Sequence, residues 1–104
     1  MKILAIDTTT LTGSVALLDS SDPIRLLGEF LLPVTAVHSE KLLPAIERLL
    51  ADTGHRIEEV DLFAVAEGPG SFTGLRIGIA TVQGFSLATG KPVVGVSSLE
   101  ALAM

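Results

Sequence analysis

The sequence predicts an α/β fold, a mixed five-stranded sheet with helices packed on it in the order β-β-β-α-β-α-β. Three observations predict it. The chain opens with three apolar runs separated by turn residues. The apolar spacing then changes to three and four residues across 38–52. Beyond that point a strand-like run, a glycine-studded helical stretch and a last strand-like run alternate. At 104 residues the chain is one domain, large enough to bury a core.

Each element has its own reason. Lys2 to Asp7 is an apolar run closing on a carboxylate and reads as a buried strand. Gly13 to Asp19 is a second strand, entered through the turn residues Thr8 to Thr12. Ser20-Ser21-Asp22-Pro23 is a turn cluster, and Ile24 to Leu32 is a third strand, completing an antiparallel meander. Leu42, Leu43, Ile46, Leu49 and Leu50 give His38 to Asp52 the spacing of an amphipathic helix, stopped at Gly54. Pro44 must then lie in the first turn or two, or kink the helix. Leu62 to Ala66 is a short buried strand, Ser71 to Ala88 a helix and Pro92 to Val96 the last strand. Ser97 or Ser98 with Glu100 would cap a final helix. There is no repeat, low-complexity tract or linker.

Composition narrows the class. The chain is 48% hydrophobic with a mean hydropathy of +0.60, while charged residues make up 18%, below the usual quarter or so. So little surface charge implies that some apolar surface meets a partner. A membrane span does not explain it, since the uncharged stretch Ile77 to Gly90 is too short and contains three glycines, threonines and Gln83. The N-terminus reaches Asp7 after four apolar residues and lacks the features of a signal peptide. The absence of cysteine excludes disulfides, thiolate metal sites and Cys nucleophiles, and fits a reducing cytoplasm. With a net charge of −5 and seven scattered basic residues, the chain alone is not expected to grip a phosphate backbone. Nucleic acid would be the substrate of a complex in which a partner supplies positive surface.

The second helix has more than one apolar face. With successive residues about 100° apart, Leu75, Ile79, Val82 and Ser86 form the natural face for the sheet. Gly74, Ile77, Gly78, Thr81, Phe85 and Ala88 form another, with only Arg76 and Gln83 as a polar strip. Glycine costs a helix about 1 kcal/mol against alanine, so repeated glycines need a compensating gain. Either the first helix covers the second face within the monomer, or another chain's helix approaches it closely. The second is expected for at least part of the face.

The turn feeding this helix, Gly68-Pro69-Gly70-Ser71-Phe72-Thr73-Gly74-Leu75-Arg76, is the most informative stretch. It lacks the lysine of a Walker loop, and Thr73 stands where the dinucleotide fingerprint needs glycine. A tight turn entering a helix N-terminus can still hold an anion, so phosphate contact and a purely structural turn both stay open. Asp7-Thr8-Thr9-Thr10 offers a carboxylate and hydroxyls suited to a magnesium–phosphate group, and is equally ordinary turn composition. His38 and His55 are unpaired and make no metal site. Ser39 is a candidate N-cap, and Glu58, Glu59 and Asp61 read as a solvated turn. Neither Ser71 nor Ser98 has the partners of a nucleophile.

Four motifs, in order, resemble the bacterial TsaB (YeaZ) family: Ile3-Leu4-Ala5-Ile6-Asp7-Thr8-Thr9, Ser14-Val15-Ala16-Leu17-Leu18, His38-Ser39-Glu40-x-Leu42-Leu43-Pro44, and Gly68 to Gly78. The resemblance covers the family's N-terminal lobe; members carry a second lobe that this sequence lacks. It implies an actin-like, ribonuclease-H-like ATPase lobe and a part in making N6-threonylcarbamoyladenosine at position 37 of tRNA. In that pathway TsaD performs the transfer, while TsaB is a non-catalytic scaffold that binds TsaD, or itself, through its helices. The ATPase TsaE joins the complex. The catalytic relatives hold a metal with a His-x-x-x-His pair, where Ser98 and Leu102 stand here. That departure tells against metal-dependent transfer and against an M22-type peptidase.

The resulting expectation is a cytoplasmic, non-catalytic assembly subunit without cofactor or metal. Its interface would comprise Leu42, Ile46, Leu49, Gly74, Ile77, Gly78, Thr81 and Phe85. Its partners would be TsaD and TsaE homologues or a second copy, with tRNA met only through the complex. Asp7, Thr8, Thr9, Thr10, Gly68 and Gly70 would touch ATP or ADP weakly, and only in the full complex. The alternative is a nucleotide-dependent transferase or hydrolase of the actin-like superfamily acting through those same residues.

Overall fold

A computed structural model of the chain describes residues 1–7, 13–21, 23–32, 39–66 and 72–96, with the side chains of 32, 39–41 and 72–78 outside the description. Its elements are β1 (Lys2–Asp7), β2 (Gly13–Asp19), β3 (Arg25–Leu32), α1 (Ser39–Thr53), β4 (Leu62–Ala66), α2 (Phe72–Thr89) and β5 (Val93–Val96). A single 3-10 turn, Ile57–Glu59, precedes β4. This is the expected β-β-β-α-β-α-β order, with boundaries moved by at most one residue. The proposed final helix after β5 lies outside the described residues.

The strands form one sheet in the order β3-β2-β1-β4-β5. The meander is antiparallel, with Leu4 opposite Leu17 and Ile6 opposite Val15, whereas β4 runs parallel to both β1 and β5. β1 is therefore paired on both sides. Its middle residues are buried on both faces, which is why it reads as a continuous apolar run. Both helices lie on the face that carries Leu4, Ile6, Val15, Leu17, Phe63 and Val65. Leu42, Ile46, Leu49 and Leu50 of α1 and Val82 of α2 close this core, and the Phe63 and Phe85 rings stack 5.7 Å apart. The opposite face is made of Ile3, Ala5 and Ala64, with Leu18 and Leu62 beside them.

Local chemistry sets the helix ends. α1 stops at Gly54, whose φ of 74° is open to glycine without strain. There the Gly54 N–H donates to the Ala51 carbonyl (3.1 Å) and the His55 N–H to that of Leu50 (2.8 Å), the paired bonds of a Schellman motif. α2 ends at Gly90 in the same conformation, its N–H bonded to the Ser86 carbonyl at 2.8 Å. Pro44 sits in the second turn of α1 and withholds one N–H there.

Two charged groups tie the strand ends together. Asp61 is more than part of a solvated turn: its Oδ2 accepts the Lys2 N–H at 2.8 Å, and the Lys91 ammonium lies 4.0 Å from Oδ1. Asp19 accepts the Ser21 N–H at 3.1 Å and sits 3.3 Å from Lys2 Nζ and 3.8 Å from the N-terminal amine. The Ser21 N–H and the nearby cations hold the Asp19 carboxyl below its ordinary value, partly opposed by desolvation.

Where α1 crosses β3, a Cβ on Gly28 would come within 2.8 Å of Thr53 Cγ2 and 2.9 Å of Leu49 Cδ1. Thr53 cannot easily turn aside, because its hydroxyl donates to the Leu49 carbonyl at 2.8 Å, and Leu49 is itself buried. Gly28→Ala is expected to destabilise the fold by about 1–3 kcal/mol in urea unfolding, as overpacking does. Gly84→Ala, where a Cβ meets nothing within 4 Å, should stabilise it by about 0.5–1 kcal/mol. Because the Asp19 pKa is lowered on folding, its contribution is complete above the ordinary carboxylate value and is lost as pH falls through the folded one. Thermal melts from pH 6 to about 2 should therefore show a flatter acid limb for Asp19→Asn than for wild type.

Candidate functional site

Two regions qualify, and the sheet positions both. The first is the sheet edge at which β1, β4 and β5 end. Because these strands are parallel, with Ile6 beside Val65 and Ala66 beside Val96, the chain leaves all three at one edge. In open α/β sheets ligands bind outside the carboxyl ends of the strands. Asp7, the last residue of β1, is half-buried there opposite Ser14 of β2. Of the expected phosphate-contacting residues only Asp7 is described. Thr8, Thr9, Thr10, Gly68 and Gly70 lie outside the described residues, as do His38, Ser71, Ser98 and Leu102. Among the described residues there is no group of three or more His, Asp or Glu side chains placed to hold a metal. His55 is half-buried after the α1 cap, with no hydrogen-bond partner on Nδ1 among the described residues.

The second region is the outer side of the helices, where the expected interface needs correction. Leu42, Ile46 and Leu49 are fully covered within the monomer by the sheet and α2, so they have no surface to give a partner. The reason is geometric: a helix lying on a sheet turns its one apolar stripe inward, and in α1 these three residues are that stripe. Phe85 is half-buried and stacked on Phe63, and Thr81 is half-buried as well. Gly74, Ile77 and Gly78 are in α2, with surroundings outside the described side chains. Of the sheet-facing assignment, Val82 is fully buried and Ile79 and Ser86 are half-buried, while the Leu75 side chain lies outside the description.

What α2 presents to solvent is a different row. Ala80, Gln83, Gly84, Leu87 and Ala88 are all exposed, and Leu87 most of all, at 89%. They recur at the three- and four-residue spacing of a single face. Leu43 and Pro44 of α1 are exposed too, Leu43 at 42%. No charged residue interrupts the α2 row, and its only hydrogen-bonding side chain is that of Gln83. Leu87 was legible in principle: it stands five positions beyond Val82, about 140° round the helix from the buried side.

With this geometry the chain can be set beside known proteins. Residues 33–104 match the family model described as "TsaD: tRNA N6-adenosine threonylcarbamoyltransferase". The chain belongs to this family. Within it, the similarity is to TsaB (YeaZ) proteins. The "tRNA threonylcarbamoyladenosine biosynthesis protein TsaB" of Haemophilus influenzae is 37% identical over 103 residues, which is 99% of this chain and 42% of that protein. YeaZ from Pseudomonas aeruginosa superposes with a TM-score of 0.81 at 40% identity, over 98% of this chain and 45% of that one. The chain thus spans less than half the length of these relatives. RuvC from Thermus thermophilus shares the fold alone, with a TM-score of 0.62 at 15% identity, and supports the ribonuclease-H-like assignment. Among the described residues no helix is long and apolar enough to cross a membrane.

The two sides of the helices should separate in mutagenesis. Leu42→Ala is expected to cost about 2–5 kcal/mol of stability, as a large-to-small change in a packed core does. Leu87→Ala should leave the urea midpoint within about 0.5 kcal/mol of wild type, as an exposed side chain does.

Proposed function

We propose that the chain serves tRNA N6-threonylcarbamoyladenosine formation as a non-catalytic assembly lobe. On this reading it docks onto a TsaD-family threonylcarbamoyltransferase, or onto a second copy of itself, through the outer face of α2. The observation that carries the reading is the exposed row Ala80, Gln83, Gly84, Leu87 and Ala88, apolar but for one amide and centred on an almost fully exposed leucine. An exposed apolar face of this kind marks an interaction site more often than a bare surface. Small residues at positions 80, 84 and 88 let a partner helix approach closely, with Leu87 projecting beside them. The names of the relatives supply the pathway. The TsaE homologue and tRNA would be met in the assembled complex, in the cytoplasm, and the 104 residues would correspond to the N-terminal lobe of the relatives.

The test is a mixing experiment by light scattering, with the chain alone and with a TsaD-family transferase. Wild type is expected to form a defined complex or dimer. Leu87→Arg should weaken it at least tenfold with an unchanged melting temperature, which a core defect would not leave unchanged. A wild-type chain that stays monomeric and fails to bind at high micromolar concentration would refute the proposal.

A second reading, a nucleotide-dependent transferase or hydrolase, is favoured by one observation: Asp7 stands half-buried at the edge where three parallel strands end. Titration of the chain with ATP and magnesium by calorimetry separates the two. The assembly reading expects little heat from the lobe alone. Saturable heat that Asp7→Asn abolishes would favour the enzyme.

A further inference from the structure

We draw no further inference here: the strongest candidate, the outer edge of strand β3 with Leu26 and Leu31 exposed beside it, carries none, because the strand is bulged where Leu17 and Leu18 pair with it and nothing in the structure shows what covers that edge.

Discussion

The pairing of β1 on both sides places the rest of the chain. Antiparallel contact with β2 is satisfied by a short connection, and the meander extends outward to β3. Parallel contact with β4 cannot be made by a tight turn and requires a long crossover, which α1 provides. Once β4 lies parallel to β1, α2 must cross back in the same way before β5 can join. Both crossovers fall on one face, so Leu42, Ile46 and Leu49 from one helix and Val82 from the other meet over Leu4 and Ile6. The same parallel pairing brings the ends of β1, β4 and β5 to one edge. The position of the candidate nucleotide edge is thus a consequence of sheet topology.

Most of this fold is legible in the residues. β1, β2 and β4 have the limits their apolar runs suggest, because a strand buried at a sheet centre leaves an uninterrupted hydrophobic signal. Gly54 ends α1 as expected, since only a positive φ allows the carbonyls of Leu50 and Ala51 to be satisfied there. Gly28 was not legible. Its role depends on Thr53 and Leu49 arriving over it from α1, more than twenty residues away in the chain, and a glycine inside a strand pattern does not announce such a contact. Asp61 hid its role for the same reason. The Lys2 N–H that it accepts is 59 positions away.

The site was half legible. Spacing along α2 identified Val82 and Ile79 as sheet-facing, and periodicity also showed a surplus of apolar faces. It could not say which of them the first helix would cover, because that depends on where α1 crosses the sheet. In the event Phe85 finds Phe63 inside the monomer, and α1 turns Leu42, Leu49 and Leu50 to the core. Among the described residues, the face left uncovered is the one centred on Leu87.

That outcome bears on the glycines. Gly28 is required by contacts within the chain, and Gly54 and Gly90 by backbone conformation. Gly84 is required by neither: it lies inside a helix, is exposed, and has open space where a Cβ would stand. A glycine there costs the isolated domain about 1 kcal/mol, and no contact among the described residues offsets the loss. Leu87, 89% exposed beside it, is the largest apolar side chain that the described part of this helix leaves in water. Two features that are each unfavourable to the monomer, three residues apart on one face, have one physical remedy in common. A helix from outside laid along that face would bury the leucine and use the gap left by the glycine, which supports placing the assembly surface there.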